Sequence, residues 1–113
     1  MMNTHAIMNI VIFITTANKK EAGKISSVLV GKRLAACVNI LNTCDSIFRW
    51  KGKVDKQKEY LLMVKSKKSL LPELIRLVKS MHSYKVPEII AVPIIGGNKD
   101  YLDWLDESTR NPL

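Results

Sequence analysis

The order in which two apolar patterns alternate along the chain constrains its fold more than any other feature. Short runs rich in β-branched and aromatic residues predict strands at 8–15, 37–50, 58–66 and 89–95, with a turn or bulge at 42–45 in the second. After the first and third strands, apolar residues recur at helical spacing. This spacing predicts one helix capped by Asn18 that continues to Leu34, and a second from about 67 to 81.

The elements therefore follow the order β-α-β-β-α-β, and a short C-terminal helix capped by Asn98 comes last. Two crossovers around a central hairpin, with Lys51-Gly52-Lys53 at its tip, predict an α+β fold of the ferredoxin-like type, with both long helices on one face of the sheet. At 113 residues the chain is expected to form one domain, residues 1–113, with its core at about 8–109.

Both faces of the predicted sheet carry apolar residues. Ile12 and Ile14 would lie on one face of their strand, and Leu61 and Met63 add apolar groups to the neighbouring strand. One layer of helices covers only one face, and Trp50 stands next to the hairpin tip. We therefore expect the other face to be covered by self-association, with Trp50 contacting a neighbouring subunit.

The net charge of +8 raises the question of an anionic partner. No arginine-rich or aromatic-interleaved stretch accompanies the charge, and the third strand offers only Tyr60 for base stacking. We therefore expect no specific nucleic-acid partner. Cys37 and Cys44 form no CxxC pair, and a secretory leader and an apolar run of about 20 residues are both missing. These features predict a cytoplasmic protein with no membrane partner.

The connection 82–88 between the second helix and the last strand is rich in chemical groups. His82 follows the helix, Tyr84 and Pro87 are suited to shaping the corner, and Glu88 precedes an apolar strand, where a carboxylate needs a partner such as Lys65. A phosphate-binding glycine loop, a nucleophile elbow and an HExxH motif are all missing from the sequence. We therefore expect no organic cofactor and no enzymatic activity.

Four ordered motifs resemble those of the CutA family of divalent-cation tolerance proteins. They are LAACVN at 34–39, FRWKG at 48–52, HSYKVPEI at 82–89 and YLDWL at 101–105. The resemblance covers about residues 10–109 and implies a homotrimer of ferredoxin-like subunits whose long hairpins pack against neighbours. It also implies a non-enzymatic role in the tolerance of copper and other divalent metals.

The resemblance further implies where a metal would bind. The ligands attributed to a bacterial member are a cysteine at the end of the first strand and two adjacent histidines at the end of the second helix. The corresponding residues here are Thr15, Met81 and His82. His82 is therefore the residue expected to bind copper or another divalent cation, and Met81 is expected in the core because it completes the apolar stripe of its helix.

An alternative function for the same fold is a PII-like trimeric signalling protein. Such a protein would bind a small effector in clefts between subunits. The residues expected to line the cleft are Lys65, Tyr84, Glu88 and Trp50.

Overall fold

A computed structural model describes residues 7–113, so the part of the predicted domain before Ile7 lies outside the described residues. A 3₁₀ turn at Lys68–Leu70 leads into the second helix. The elements in chain order are β1 Asn9–Thr16, α1 Lys19–Gly31, β2 Cys37–Trp50, β3 Lys53–Lys67, α2 Leu71–Met81, β4 Ile89–Pro93 and α3 Lys99–Ser108.

The strands form one sheet in the order β2-β3-β1-β4, and every neighbouring pair is antiparallel. The α+β class and the order β-α-β-β-α-β followed by a C-terminal helix are thereby confirmed. The predicted caps are also confirmed, because Asn18 accepts a hydrogen bond from the Glu21 amide and Asn98 accepts one from the Asp100 amide.

The core lies between one face of the sheet and the pair α1 and α2. Alternate residues of β1 and β3, such as Ile12 and Val64, are fully buried there, and Leu29, Leu74 and Val78 meet them from the helices. Each such side chain contributes about 1.5–3 kcal/mol of hydrophobic free energy. This layer fixes the position of the α2–β4 corner relative to the end of β1.

Several predicted boundaries are wrong. The first helix ends at Gly31, not Leu34, because the chain reverses at Arg33, whose φ is 58°. Leu34 nevertheless returns to the core, and its amide bonds the Leu29 carbonyl at 2.9 Å. The third strand begins at Lys53, five residues earlier than expected, α2 begins at Leu71 after the 3₁₀ turn, and β4 ends at Pro93.

The β2–β3 hairpin is long and contains one bulge. Its pairs run from Trp50↔Lys53 at the tip to Cys37↔Lys65, with a register shift between Leu41 and Cys44. Two residues of β2, at positions 42 and 43, thus lie opposite one residue of β3. Odd-numbered residues of β2 face away from the core before the bulge, and even-numbered residues do so after it. A bulge also bends and twists its strand.

The outer face of the sheet, which we define as the face opposite α1 and α2, is apolar and only partly covered. By register, Ile90 and Val92 lie on this face, and they are 54% and 43% exposed. Helix α3 covers one end, where Leu105 is buried and the Lys67 amine donates to the Thr109 carbonyl at 3.4 Å. No helix among residues 7–113 has the length and apolar character needed to cross a membrane.

Candidate functional site

A cavity of about 660 Å³ opens where the corner 82–88 faces the outer side of the hairpin. The end of β1 contributes Thr15 and Ala17 to its wall. Beyond the bulge, successive residues of β2 and β3 point to opposite faces of the hairpin. Those that point outward supply most of the remaining wall. The lining also includes Phe48, Trp50, Asp55, Glu59, Tyr84, Lys85 and Glu88.

The His82 side chain is fully buried behind the corner. Its Nδ1 accepts a hydrogen bond from the Tyr84 amide at 3.0 Å. The proton must therefore sit on Nε2, which donates to the Thr15 carbonyl at 2.7 Å. His82 thus links the corner to the end of β1, and both of its ring nitrogens are hydrogen-bonded to backbone groups.

Glu21, in the first turn of α1, holds the same corner from the other side. Its carboxylate accepts from the Ala17 amide at 3.1 Å and from the Ser83 amide at 2.7 Å. Burial alone would raise the pKa of Glu21, but these hydrogen bonds outweigh burial and hold the pKa below its usual value. Glu21 was not predicted as a site residue, because its contact with Ser83 joins positions 62 residues apart in the chain.

Tyr84 joins the corner to the hairpin. Its hydroxyl donates to Glu59 Oε2 at 2.8 Å, and its ring lies 4.8 Å from the His82 ring at an angle of 47°. Burial and the adjacent Glu59 carboxylate raise the pKa of Tyr84, so its hydroxyl stays a donor. Glu59 was not predicted as a site residue. The feature of the sequence that could have indicated it is the position of this carboxylate next to the apolar half of β3.

Three of the four residues expected to line a cleft lie around this cavity. Trp50, Tyr84 and Glu88 all line it. Lys65 does not, because the register places it opposite Cys37 and Val11, toward the far end of the sheet. Its amine bonds Asn39 Oδ1, and it forms no ion pair with Glu88 in the described part of the chain.

The arrangement of Thr15, Met81 and His82 does not fit a copper ion. Neither nitrogen of His82 has a free lone pair, and the Thr15 carbonyl is itself the acceptor of the imidazole. Met81 packs against the core, as expected from its place in the apolar stripe. Within residues 7–113, no group of three or more His, Cys, Asp and Glu side chains is placed to hold a metal ion. Copper binding at His82 stays a prediction. A copper ion could bind the imidazole only if His82 lost its hydrogen bond with the Tyr84 amide or with the Thr15 carbonyl.

The family model described as CutA1 divalent ion tolerance protein matches residues 10–108. A relative from Thermus thermophilus, called divalent-cation tolerance protein CutA, is 48% identical over 102 residues, which cover 90% of this chain and 99% of the relative. The chloroplastic protein CutA of Arabidopsis thaliana is 42% identical over 109 residues, or 96% of this chain. This chain spans only 60% of the length of the Arabidopsis relative and 59% of that of a rice relative.

Solved structures agree with the sequence comparison. A structure of the divalent cation tolerance protein from Thermus thermophilus superposes with a TM-score of 0.90 at 48% identity, covering 91% of this chain and all of that one. A structure from Archaeoglobus fulgidus, called a periplasmic divalent cation tolerance protein, gives a TM-score of 0.87 at 42% identity, covering 89% of this chain and 98% of that one. The chain therefore belongs to the CutA1 divalent ion tolerance family.

Proposed function

We propose that this chain contributes to divalent-cation tolerance by binding a small effector in the cavity between the corner and the hairpin. The observation that carries the proposal is the convergence of Trp50, Tyr84 and Glu88 around the buried Glu59. The cavity volume of about 660 Å³ falls in the range of small-molecule sites. This role resembles the PII-like alternative, but the described walls of the cavity all belong to one chain, whereas that alternative expected a cleft between subunits.

The chemistry of the cavity favours recognition over catalysis. The Tyr84 hydroxyl is held protonated against Glu59, and both His82 nitrogens are committed to backbone groups. A general base needs a free acceptor within reach of its substrate, and a nucleophile needs such a base beside it. His82 and Tyr84 provide neither, so these two residues are suited to shaping the cavity and not to acid–base or nucleophilic chemistry.

We further propose that the chain works as a homotrimer. The partly open outer face and Trp50, which is 47% exposed, support self-association, because apolar surface of this kind is normally covered. Light scattering at micromolar concentration should give three times the monomer mass, and a monomer would contradict the proposal. Trp50→Ala should shift the mass toward the monomer, since buried aromatic anchors dominate many interfaces.

The proposed location is the cytoplasm, with no specific nucleic-acid partner. Both cysteines are free, and free thiols persist in reducing compartments. Names of relatives differ on this point, since the Arabidopsis protein is called chloroplastic and the Archaeoglobus protein periplasmic. Cell fractionation with an antibody against the chain, and competition between unrelated nucleic-acid sequences for any bound protein, test the two statements.

The effector itself can be sought by native mass spectrometry. The purified protein is exposed to the small-molecule fraction of cells grown with and without excess copper, and its mass is then measured without denaturation. We expect an added mass on the wild type that Glu59→Gln loses. Glu107→Gln is the matched control, because Glu107 lies on α3 and does not line the cavity. Equal retention in all three proteins, or none in any, would contradict effector binding at this site.

A further inference from the structure

We infer that the effector taken by this cavity is an organic cation, an ammonium group carried on an apolar body. The inference rests on the proposed effector function and names the chemical class of its ligand. It follows from the charge of the cavity, from one buried carboxylate and from the aromatic wall.

The charge of the cavity opposes that of the whole chain. The chain carries +8, yet the cavity is lined by the three carboxylates of Asp55, Glu59 and Glu88 and by the single ammonium of Lys85. None of these three carboxylates forms an ion pair with a lysine or arginine among residues 7–113. A concave surface with an excess of one charge sign concentrates ions of the other sign, so the three carboxylates against one ammonium favour cations.

Glu59 places a carboxylate that could bind an ammonium group in the wall of the cavity. The residue is only 6% exposed, and its Oε2 accepts from the Tyr84 hydroxyl at 2.8 Å. Its Oε1 has no hydrogen-bond donor in the described part of the chain, although Glu59 lines the cavity. Glu59 Oε1 is not among the fully buried side-chain oxygens that lack a partner, so it is open to the cavity, where an ammonium N–H would supply a charge-assisted hydrogen bond.

Aromatic rings form the rest of the wall that an ammonium ligand would meet. Phe48, Trp50 and Tyr84 all line the cavity, and the ring faces of such residues attract cations. The bulge in β2 places Phe48 and Trp50 on the same side of the hairpin as Glu59. An organic cation with an apolar body therefore satisfies both the carboxylates and the rings.

Other ligand classes match the cavity less well. A bare divalent ion needs several ligands at one point, and residues 7–113 contain no such group of His, Cys, Asp and Glu side chains. An anion would face three carboxylates with only Lys85 to offset them. A neutral ligand would leave the Glu59 oxygen without a charged donor.

Three probes that share one ring but differ in charge test the inference. Benzylamine, benzyl alcohol and benzoate are titrated into the full chain, and binding is followed by NMR shifts of the Tyr84 and Trp50 amides. Benzylamine should bind roughly tenfold or more tightly than benzyl alcohol, and benzoate most weakly. Benzyltrimethylammonium, which has no N–H donor, should bind between benzylamine and benzyl alcohol if the rings contribute through cation–π attraction.

Substitutions of single carboxylates test which of them binds the ammonium group. Glu59→Gln should lower benzylamine affinity roughly tenfold and leave benzyl alcohol unchanged, whereas Glu107→Gln should change neither. Glu88→Gln serves as a second variant, because Glu88 is exposed and makes no hydrogen bond within residues 7–113, so its loss leaves the fold intact. It should lower benzylamine affinity by a smaller factor.

The outcomes separate this inference from the proposed function. If benzoate or benzyl alcohol shifts Tyr84 and Trp50 as strongly as benzylamine does, the cationic class is wrong while the effector site remains. If none of the probes shifts these residues at millimolar concentration, both the cationic class and the effector site are wrong.

Discussion

Replacing His82 by alanine should destabilise the fold far more than it changes metal affinity. The buried imidazole joins two backbone groups, the Tyr84 amide at 3.0 Å and the Thr15 carbonyl at 2.7 Å. Alanine leaves both groups without a partner. Each such loss costs about 1–3 kcal/mol, so the expected total is about 2–6 kcal/mol. That is a large part of the ~5–15 kcal/mol that stabilises a typical domain.

Two further variants divide this cost between the two hydrogen bonds. Asparagine places an acceptor near the position of Nδ1, so His82→Asn should keep the bond from Tyr84 and lose the one to Thr15. Glutamine places a donor near the position of Nε2, so His82→Gln should keep the bond to Thr15 and lose the other. Each should cost about half as much as alanine. Urea denaturation at one protein concentration measures the differences, because self-association would make stability depend on concentration.

Copper titration completes the test. Calorimetry of Cu(II) binding to the wild type and to His82→Asn should give equal affinities, because neither ring nitrogen has a lone pair available to a metal. Two results would refute the reasoning. One is a loss below about 1 kcal/mol for His82→Ala, which is less than one unsatisfied buried group should cost. The other is a fall in copper affinity of roughly tenfold in a folded His82→Asn protein.

Three other substitutions test the surrounding contacts. Tyr84→Phe removes the donor to the buried Glu59 carboxylate and should cost about 1.5–3 kcal/mol in urea denaturation, whereas Tyr60→Phe, whose hydroxyl makes no hydrogen bond within residues 7–113, should cost under about 0.5 kcal/mol. Glu21 has a folded-state pKa below its usual value, so its contribution to stability is present above the unfolded pKa and is lost as pH falls through the folded one. Glu21→Gln should therefore be less stable than the wild type at neutral pH and should lack that acid-dependent loss; urea midpoints with parallel pH dependence would contradict this. Burial raises the pKa of Asp106, so its contribution is present at low pH and is lost as pH rises through the raised value. Asp106→Asn should be the more stable protein at neutral pH, and a lower urea midpoint there would contradict the assignment.

The long apolar patterns were enough to predict most of the fold, because they show which side of each helix or strand is buried. The helical spacing predicted α2 and its apolar face, and the residues Leu74 and Val78 of that face are fully buried in the core. The end of α1 was missed because Leu34 fits the helical stripe and is buried, but reaches the core from a loop. The turn before it depends on a positive φ at Arg33, a conformation that arginine rarely adopts.

The candidate site was only partly predictable, since its contacts join distant parts of the chain. The corner attracted attention through His82 and Tyr84, whereas their partners Glu21 and Glu59 come from α1 and β3. Lys65 was assigned to the cleft as a possible partner for Glu88, but the sequence does not show how far along the sheet a strand residue lies. The register that separates Lys65 from the cavity is set by tertiary pairing.

The bulge in β2 has a consequence for how chain length can vary among related proteins. Two residues of β2 lie opposite one residue of β3 between the pairs Leu41↔Leu61 and Cys44↔Glu59. A relative lacking one of these two residues could close the ladder without changing either pair, so Phe48 and Trp50 would keep their orientation. A deletion nearer the tip would instead reverse the orientation of the residues beyond it. Alignments should therefore tolerate a single-residue gap at positions 42–43 more readily than one between Ser46 and Trp50.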